Sequence, residues 1–244
     1  MELKEYLDYL VEFIKETVKK ANAKGVVIGI SGGIDSAVVA CLAKKAFPND
    51  YTAVWMPIES SDEDYKCKQE LIDQCDIKAI DVELKETFLS FKKAIKDSTT
   101  PEHKLPIANA KARLRMTTLY TVAQTNSYLV LGTDNLDEWH IGYFTKFGDG
   151  GVDMVPLVHL LKREVREAAR ILGVPTSIIN RAPTASLWED QTDESELGIT
   201  YDQIDAYLAG EINDENVKSR VDHLHKISEH KRNGAVAPKE FKRK

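Results

Sequence analysis

The chain reads as an α/β protein, with a doubly wound, mostly parallel sheet and helices on both faces. Three observations predict this. Short apolar runs recur along the chain, charged segments separate them, and the first run leads through a glycine turn straight into a helix of small residues. Strands alternating with helices imply βαβ units, and these pair in parallel.

Taken in order, Leu3, Tyr6, Leu7, Leu10, Val11, Ile14 and Val18 recur at helical spacing and predict an amphipathic first helix. Gly25 to Ile30 is the first buried strand, Tyr51 to Met56 the second, Ile77 to Val82 the third and Ser127 to Gly132 the fourth. The stretch around Val155 is expected to pair as a short fifth. Helical segments are predicted near residues 36–47, 62–75, 83–97, 107–125 and 159–172. Two stretches resist regular structure: Asp97 to Pro106, and the Pro-, Ser-, Thr- and acid-rich run from Arg181 to Leu197. Each fits either a surface loop or a lid over a ligand. A basic tail closes the sequence from about residue 231 to 244, and residues 1–244 are expected to form a single domain.

Composition narrows the function. Of 244 residues, 43% are hydrophobic and 30% charged, enough for one continuous core. The net charge of −6 speaks against a broad nucleic-acid footprint, so any anionic ligand needs a local cluster of cations. Cys41, Cys67 and Cys75 are odd in number and show no Cys-x-x-Cys spacing, which points to a reducing compartment and gives no support for a zinc site. No apolar run approaches membrane-spanning length. Together these predict a cytoplasmic protein with no membrane or nucleic-acid partner.

Ser31-Gly32-Gly33-Ile34-Asp35-Ser36, between the first strand and its helix, carries the most chemistry. Two glycines let the backbone bend and approach a ligand, while the new helix presents unpaired N–H groups and partial positive charge. The serines add hydroxyl donors, and Asp35 can hold a metal against phosphates. The loop lacks the lysine of the G-x-x-x-x-G-K-[ST] motif, so γ-phosphoryl transfer by that machinery does not fit. It resembles the SGGxDS loop of the ATP pyrophosphatases, which grip the β,γ-pyrophosphate while chemistry occurs at the α-phosphate. An ordinary glycine-rich strand–helix turn has similar spelling.

Three further clusters bear on a ligand. Gly132-Thr133-Asp134-Asn135-Leu136-Asp137-Glu138 follows the fourth strand and suits a nucleotide with magnesium, or simply a helix N-cap. Thr145-Lys146-Phe147-Gly148-Asp149-Gly150-Gly151-Val152-Asp153 places an aromatic ring and a cation beside a tight turn. On the helix near 107–125, Lys111 and Arg115 share one face while Arg113 lies well round from both; a cleft or plain solvent would suit them. Lys162 and the run Glu229-His230-Lys231-Arg232 are the remaining candidate cations.

With these clusters in hand, nearly the whole chain resembles the ammonia-dependent NAD synthetases. The likeness rests on Gly29 to Ser36, Ala112-Arg113-Leu114-Arg115-Met116, Leu131-Gly132-Thr133-Asp134, Phe144 to Gly151, Pro183-Thr184-Ala185, Asp193 to Ile199 and His230-Lys231-Arg232. The Phe-Thr-Lys-Phe-Gly-Asp-Gly-Gly and Glu-Leu-Gly-Ile runs are the most specific. The resemblance implies an adenine nucleotide alpha hydrolase-like fold and an ATP-dependent amidation of nicotinic acid adenine dinucleotide by ammonia. It implies that Gly29, Ile30, Ser31, Gly32, Gly33, Ile34, Asp35, Ser36, Thr133, Lys162 and Thr184 bind ATP, with Asp35 and Glu138 on Mg2+. Arg113, Lys146, Asp153, His230 and Lys231 would hold the dinucleotide. Asp149 and Lys162 would serve the chemistry, Asp149 by steering ammonium and taking its proton. A homodimer with the dinucleotide site at the interface is implied, as is lid behaviour of the two irregular stretches. About two dozen residues precede the first strand, so no glutaminase domain is expected and the donor is free ammonia, or ammonia from a separate partner. Two other readings compete: a different adenylating pyrophosphatase, such as a GMP-synthetase or tRNA-thiolating enzyme, and a non-catalytic ATP-binding protein.

Overall fold

A computed structural model describes residues 1–97, 104–182 and 193–243. Its first half alternates as the sequence predicts: α1 (Leu3–Lys20), β1 (Gly25–Ile30), α2 (Ile34–Ala46), β2 (Tyr51–Trp55), α3 (Asp62–Cys75), β3 (Ala79–Asp81), α4 (Lys85–Ala94), α5 (Lys104–Asn126) and β4 (Tyr128–Leu131). Then come α6 (Leu136–Ile141), α7 (Lys162–Leu172), α8 (Thr176–Ile179), α9 (Asp193–Leu197), α10 (Tyr201–Leu208), α11 (Glu215–Ile227) and α12 (Glu229–Arg232).

The four strands are parallel and ordered β3-β2-β1-β4. Central β1 is apolar on both sides, as a strand covered on both faces must be. Val26, Ile28 and Ile30 face one layer, where α1, α2 and α7 contribute Ile14, Val38, Leu42 and Val165. Val27, with Val54 and Val130, faces the other, where α4 and α5 contribute Phe88, Leu119 and Ala123. Helix α2 is buried nearly all round, which explains why its sequence is small and apolar without a polar stripe. A third cluster, Ile141, Leu197, Ile204, Val217 and Val221, joins α6 to α9, α10 and α11. These late helices are not among those predicted from the sequence.

The expected fifth strand is a correction. Among the described residues the stretch near Val155 makes a single parallel bridge, Leu131 to Met154, with Gly132 N–H donating to the Met154 carbonyl at 2.7 Å. Asp153 takes the Val130 N–H with its own carboxylate at 2.8 Å, and Pro156 has no N–H to extend a ladder.

The chain leaves β1 toward β2 and β3, then returns to place β4 on the opposite side of β1. The carboxyl ends of β1 and β4 therefore meet at a topological switch point, where open α/β sheets bind ligands. Ser31 and Thr133 both lie there.

Candidate active site

The loop after β1 is held by its own serines. Ser31 N–H donates to Ser36 Oγ at 3.2 Å, Ser36 Oγ donates to the Gly33 carbonyl at 2.9 Å, and Gly33 N–H donates to Ser31 Oγ at 3.2 Å. Gly32 turns the corner at φ +82°, and a Cβ there would come within 3.0 Å of the Asp64 carbonyl oxygen. Gly33 caps α2 without a side-chain acceptor, so the first N–H groups of that helix remain for a ligand.

Opposite this cradle stands a buried ionic cluster. Lys162, the first residue of α7, is 3% exposed, and its Nζ lies 2.7 Å from Asp35 Oδ2 and 3.1 Å from Glu138 Oε1. Burial alone would lower its pKa; the paired carboxylates outweigh burial and hold it raised. Burial pushes Glu138 up to about 7, with Asp35 reinforcing the shift and Lys162 opposing it. Asn135 Nδ2 donates to the other oxygen of Asp35 at 2.9 Å, and the Tyr201 hydroxyl donates to Glu138 at 3.2 Å.

Lys162 is positioned through its backbone. Its N–H and that of Arg163 donate to the two carboxylate oxygens of Asp205, each at 2.9 Å, so a residue of α10 caps α7. Asp137 is fully buried near Asp205. Burial, with that second carboxylate beside it, raises its pKa to about 9.

Two cavities open here. One of about 160 Å³ is lined by Ser31, Asp35, Thr133, Glu138, Lys162 and Arg181. A wider one of about 550 Å³ runs between β1, β2, α5 and the loop after Gly142, touching Gly29, Met56, Arg115, Thr133, Phe144 and Lys231. Its size and mixed lining suit a nucleoside. Asp149 is solvent-exposed where it opens on both cavities, and Thr145 N–H donates to it at 3.1 Å. Desolvation raises its pKa; it raises that of Asp134 still further, with the Asp149 charge adding to the effect.

The other predicted residues fall into two groups. Lys111 and Arg115 do share a face of α5: Lys111 pairs with Glu59 at 2.6 Å and Arg115 Nε donates to the Met56 carbonyl at 3.0 Å. Arg113 emerges elsewhere and donates to the Lys146 carbonyl at 3.2 Å. Lys146 Nζ donates to the carbonyls of His230 and Asn233, while Lys231 Nζ donates to those of Gly142 and Phe144 at 2.7 and 2.8 Å. The two segments thus clasp each other with one lysine apiece. Asp153 accepts from the Tyr120 hydroxyl at 3.2 Å as well as from Val130. Arg113, Lys146, Asp153 and His230 form an outer rim away from both cavities, whereas Lys231 reaches the wider one. Thr184 lies outside the described residues. Asn135, Asp205 and Tyr201 were not singled out by sequence; Asn135 alone carried a signal, as part of the cluster after β4.

A phosphate cradle at the switch point of a parallel sheet, faced by two carboxylates converging on one cation, defines an ATP-using α/β enzyme of the pyrophosphatase-loop class. The NAD synthase family model matches residues 6–243, and the chain belongs to that family. It is 99% identical over all 244 residues, and over the full length of the relative, to the NH(3)-dependent NAD(+) synthetase of Mesoplasma florum. Against the enzyme of the same name from Mycoplasmopsis pulmonis it is 47% identical, covering 97% of this chain and 91% of that one. Among solved structures it superposes on the NMN synthetase of Francisella tularensis with a TM-score of 0.91 and 41% identity, covering 98% and 99% of the two chains. Among the described residues no helix is long and apolar enough to cross a membrane.

Proposed function

We propose that the chain joins ammonia to the pyridine carboxylate of nicotinic acid adenine dinucleotide, consuming ATP and giving NAD, AMP and pyrophosphate. The observation that carries this reading is the meeting of a lysine-free phosphate cradle with Asp35, Glu138 and Lys162. A carboxylate oxygen of the substrate attacks the α-phosphorus, the bond to the β-phosphate oxygen breaks, and pyrophosphate departs with the electron pair. Ammonia then attacks the acyl carbon of the adenylate, loses a proton and expels AMP.

Ser31 to Ser36 hold the β,γ-phosphates through backbone N–H groups and hydroxyls, with Gly29, Ile30 and Thr133 beside them. Asp35 and Glu138 each turn one oxygen to Lys162 Nζ, and this pair of carboxylates beside the cradle is a donor set that would suit Mg2+ completed by phosphate oxygens. Mg2+ would neutralise charge on those oxygens. Lys162 keeps the two carboxylates together and supplies positive charge where the α-phosphate reacts. Asp149, open to both cavities, receives ammonium and takes its proton. Arg113, Lys146, Asp153 and His230 on the outer rim, with Lys231 at the wider cavity, hold the dinucleotide, and a second copy of the chain would complete the site in a cytoplasmic homodimer. The Lys146 and Lys231 clasp would then open as phosphates replace main-chain carbonyls.

The test is incubation with ATP, Mg2+, ammonium and the dinucleotide, followed by nucleotide analysis. NAD with AMP and pyrophosphate is expected; ADP in place of AMP would overturn adenylation. A second reading, amidation of nicotinic acid mononucleotide, is favoured by the likeness to the Francisella tularensis NMN synthetase. Offering both substrates in competition decides between them by the ratio of kcat/KM.

A further inference from the structure

We propose that Arg181 is a phosphate-binding residue of the cradle, aimed by Asp64, that takes charge building up on the departing pyrophosphate. This deepens the proposed reaction and rests on it for the identity of the leaving group.

Arg181 follows α8, and its guanidinium lines the smaller cavity beside Ser31, Gly33 and Ser36. Its side chain is 11% exposed. One edge is fixed: Nη2 donates to Asp64 Oδ1 at 2.7 Å, and Nε lies 3.4 Å from Glu63 Oε2. Asp64 is itself fixed, almost fully buried in the first turn of α3, where its other oxygen accepts the Ser61 N–H at 2.8 Å. The remaining edge faces the loop, with Nη1 donating to the Gly32 carbonyl at 3.5 Å. That bond is at the limit of useful length, so a phosphate oxygen would be the stronger acceptor.

The charge distribution calls for such a cation. Lys162 is engaged by two carboxylates, and Arg166, the other arginine on this cavity, turns to Asp202 at 3.5 Å. Against these stand Asp35, Asp134, Glu138, Asp149 and Asp193 on the same walls. The cradle contains no lysine or arginine of its own, and among the described residues Arg181 is the cation that contacts its backbone. A planar fork gripped by carboxylates on one side and open on the other suits pyrophosphate oxygens, and its fixed orientation is what transition-state stabilisation requires.

Direct binding of inorganic pyrophosphate with Mg2+, by calorimetry, is the test, read beside product inhibition by pyrophosphate. Arg181→Ala is expected to weaken binding and raise the inhibition constant about 10- to 100-fold, as loss of a charge-assisted hydrogen bond does. The KM for the dinucleotide should not move. Arg181→Lys keeps the charge without the fork and should recover part of the loss. Unchanged pyrophosphate affinity in Arg181→Ala, with a lowered melting temperature, would reduce the residue to a staple between cradle and α3 and overturn the proposal. Should Arg181→Ala not fold, wild-type affinity in Arg181→Lys overturns it instead. Because binding needs no turnover, Arg181-dependent pyrophosphate binding by a chain that makes no NAD would sink the proposed reaction and leave this site standing.

Discussion

Lys162 Nζ lies 2.7 Å from Asp35 Oδ2, although 127 residues separate them in the chain. With Glu138 at 3.1 Å, one buried ammonium group holds two partly buried carboxylates together. Replacing Lys162 by Met leaves those charges without their cation, a change that costs about 3–5 kcal/mol at buried pairs. The variant should melt well below wild type and lose activity by about 100-fold or more, as removal of a preorganised charge does. Mg2+ should raise its melting temperature more than that of wild type, because the ion replaces the missing cation. Equal Mg2+ shifts would argue against a metal site at Asp35 and Glu138.

Asp149→Asn keeps the hydrogen bond from Thr145 but cannot take a proton. The kcat/KM for ammonium should fall by about 10²–10⁴, with the KM for ATP little changed. Desolvation holds this carboxyl above its ordinary range, so wild-type activity should rise with pH through that raised pKa. Steady-state kinetics across pH should show this acid limb disappear in the variant.

Lys146 belongs to the outer rim, away from both cavities. Lys146→Ala should raise the KM for the dinucleotide about 10-fold, the loss of one charge-assisted bond, and leave that for ATP unchanged. An effect confined to ATP would remove Lys146 from the dinucleotide site.

Gly142 ends α6 at φ +70°, and a Cβ there would lie 2.1 Å from the Cβ of buried Ser228. Gly142→Ala combines a left-handed backbone with overpacking and should cost about 2–5 kcal/mol. Urea denaturation should register this as a lower midpoint with unchanged slope.

Stacked rings of His140 and His225 lie 4.2 Å apart, and burial, with His225 and Arg232 nearby, lowers His140 to about 4. The unfolded chain binds a proton near the ordinary value of about 6.5, so it holds more protons than the folded chain between about 6.5 and 4. Stability should therefore be intact above that window and fall as pH drops through it. Thermal melts of His140→Gln should show a shallower slope there.

What was legible in the sequence was local. Ser31 to Ser36 spell their own turn, β1 announces itself by an unbroken apolar run, and Lys111 with Arg115 follow helical spacing. The fifth strand misled because Val155 looks like a strand residue, while Asp153 and Pro156 beside it stop the ladder. Helices α9 to α12 escaped because several span too few residues to establish a period. In the site, the pairing of Lys162 with Asp35, and of Arg181 with Asp64, joins residues 127 and 117 apart. No local pattern encodes such contacts. Lys162 stood in the sequence as one weak candidate cation and took its role from the resemblance, and Arg181 entered only as the edge of an irregular stretch.

Asp205 caps α7 from a helix that comes more than forty residues later, and so controls where Lys162 begins. During synthesis the cradle, its strand and α7 all leave the ribosome before Asp205 does. A partly made chain can thus form most of the sheet while the lysine opposite the cradle has no anchor for its backbone. Catalytic competence arrives late, with the C-terminal helices, and a chain cut short before residue 205 should be inert even if its sheet is sound.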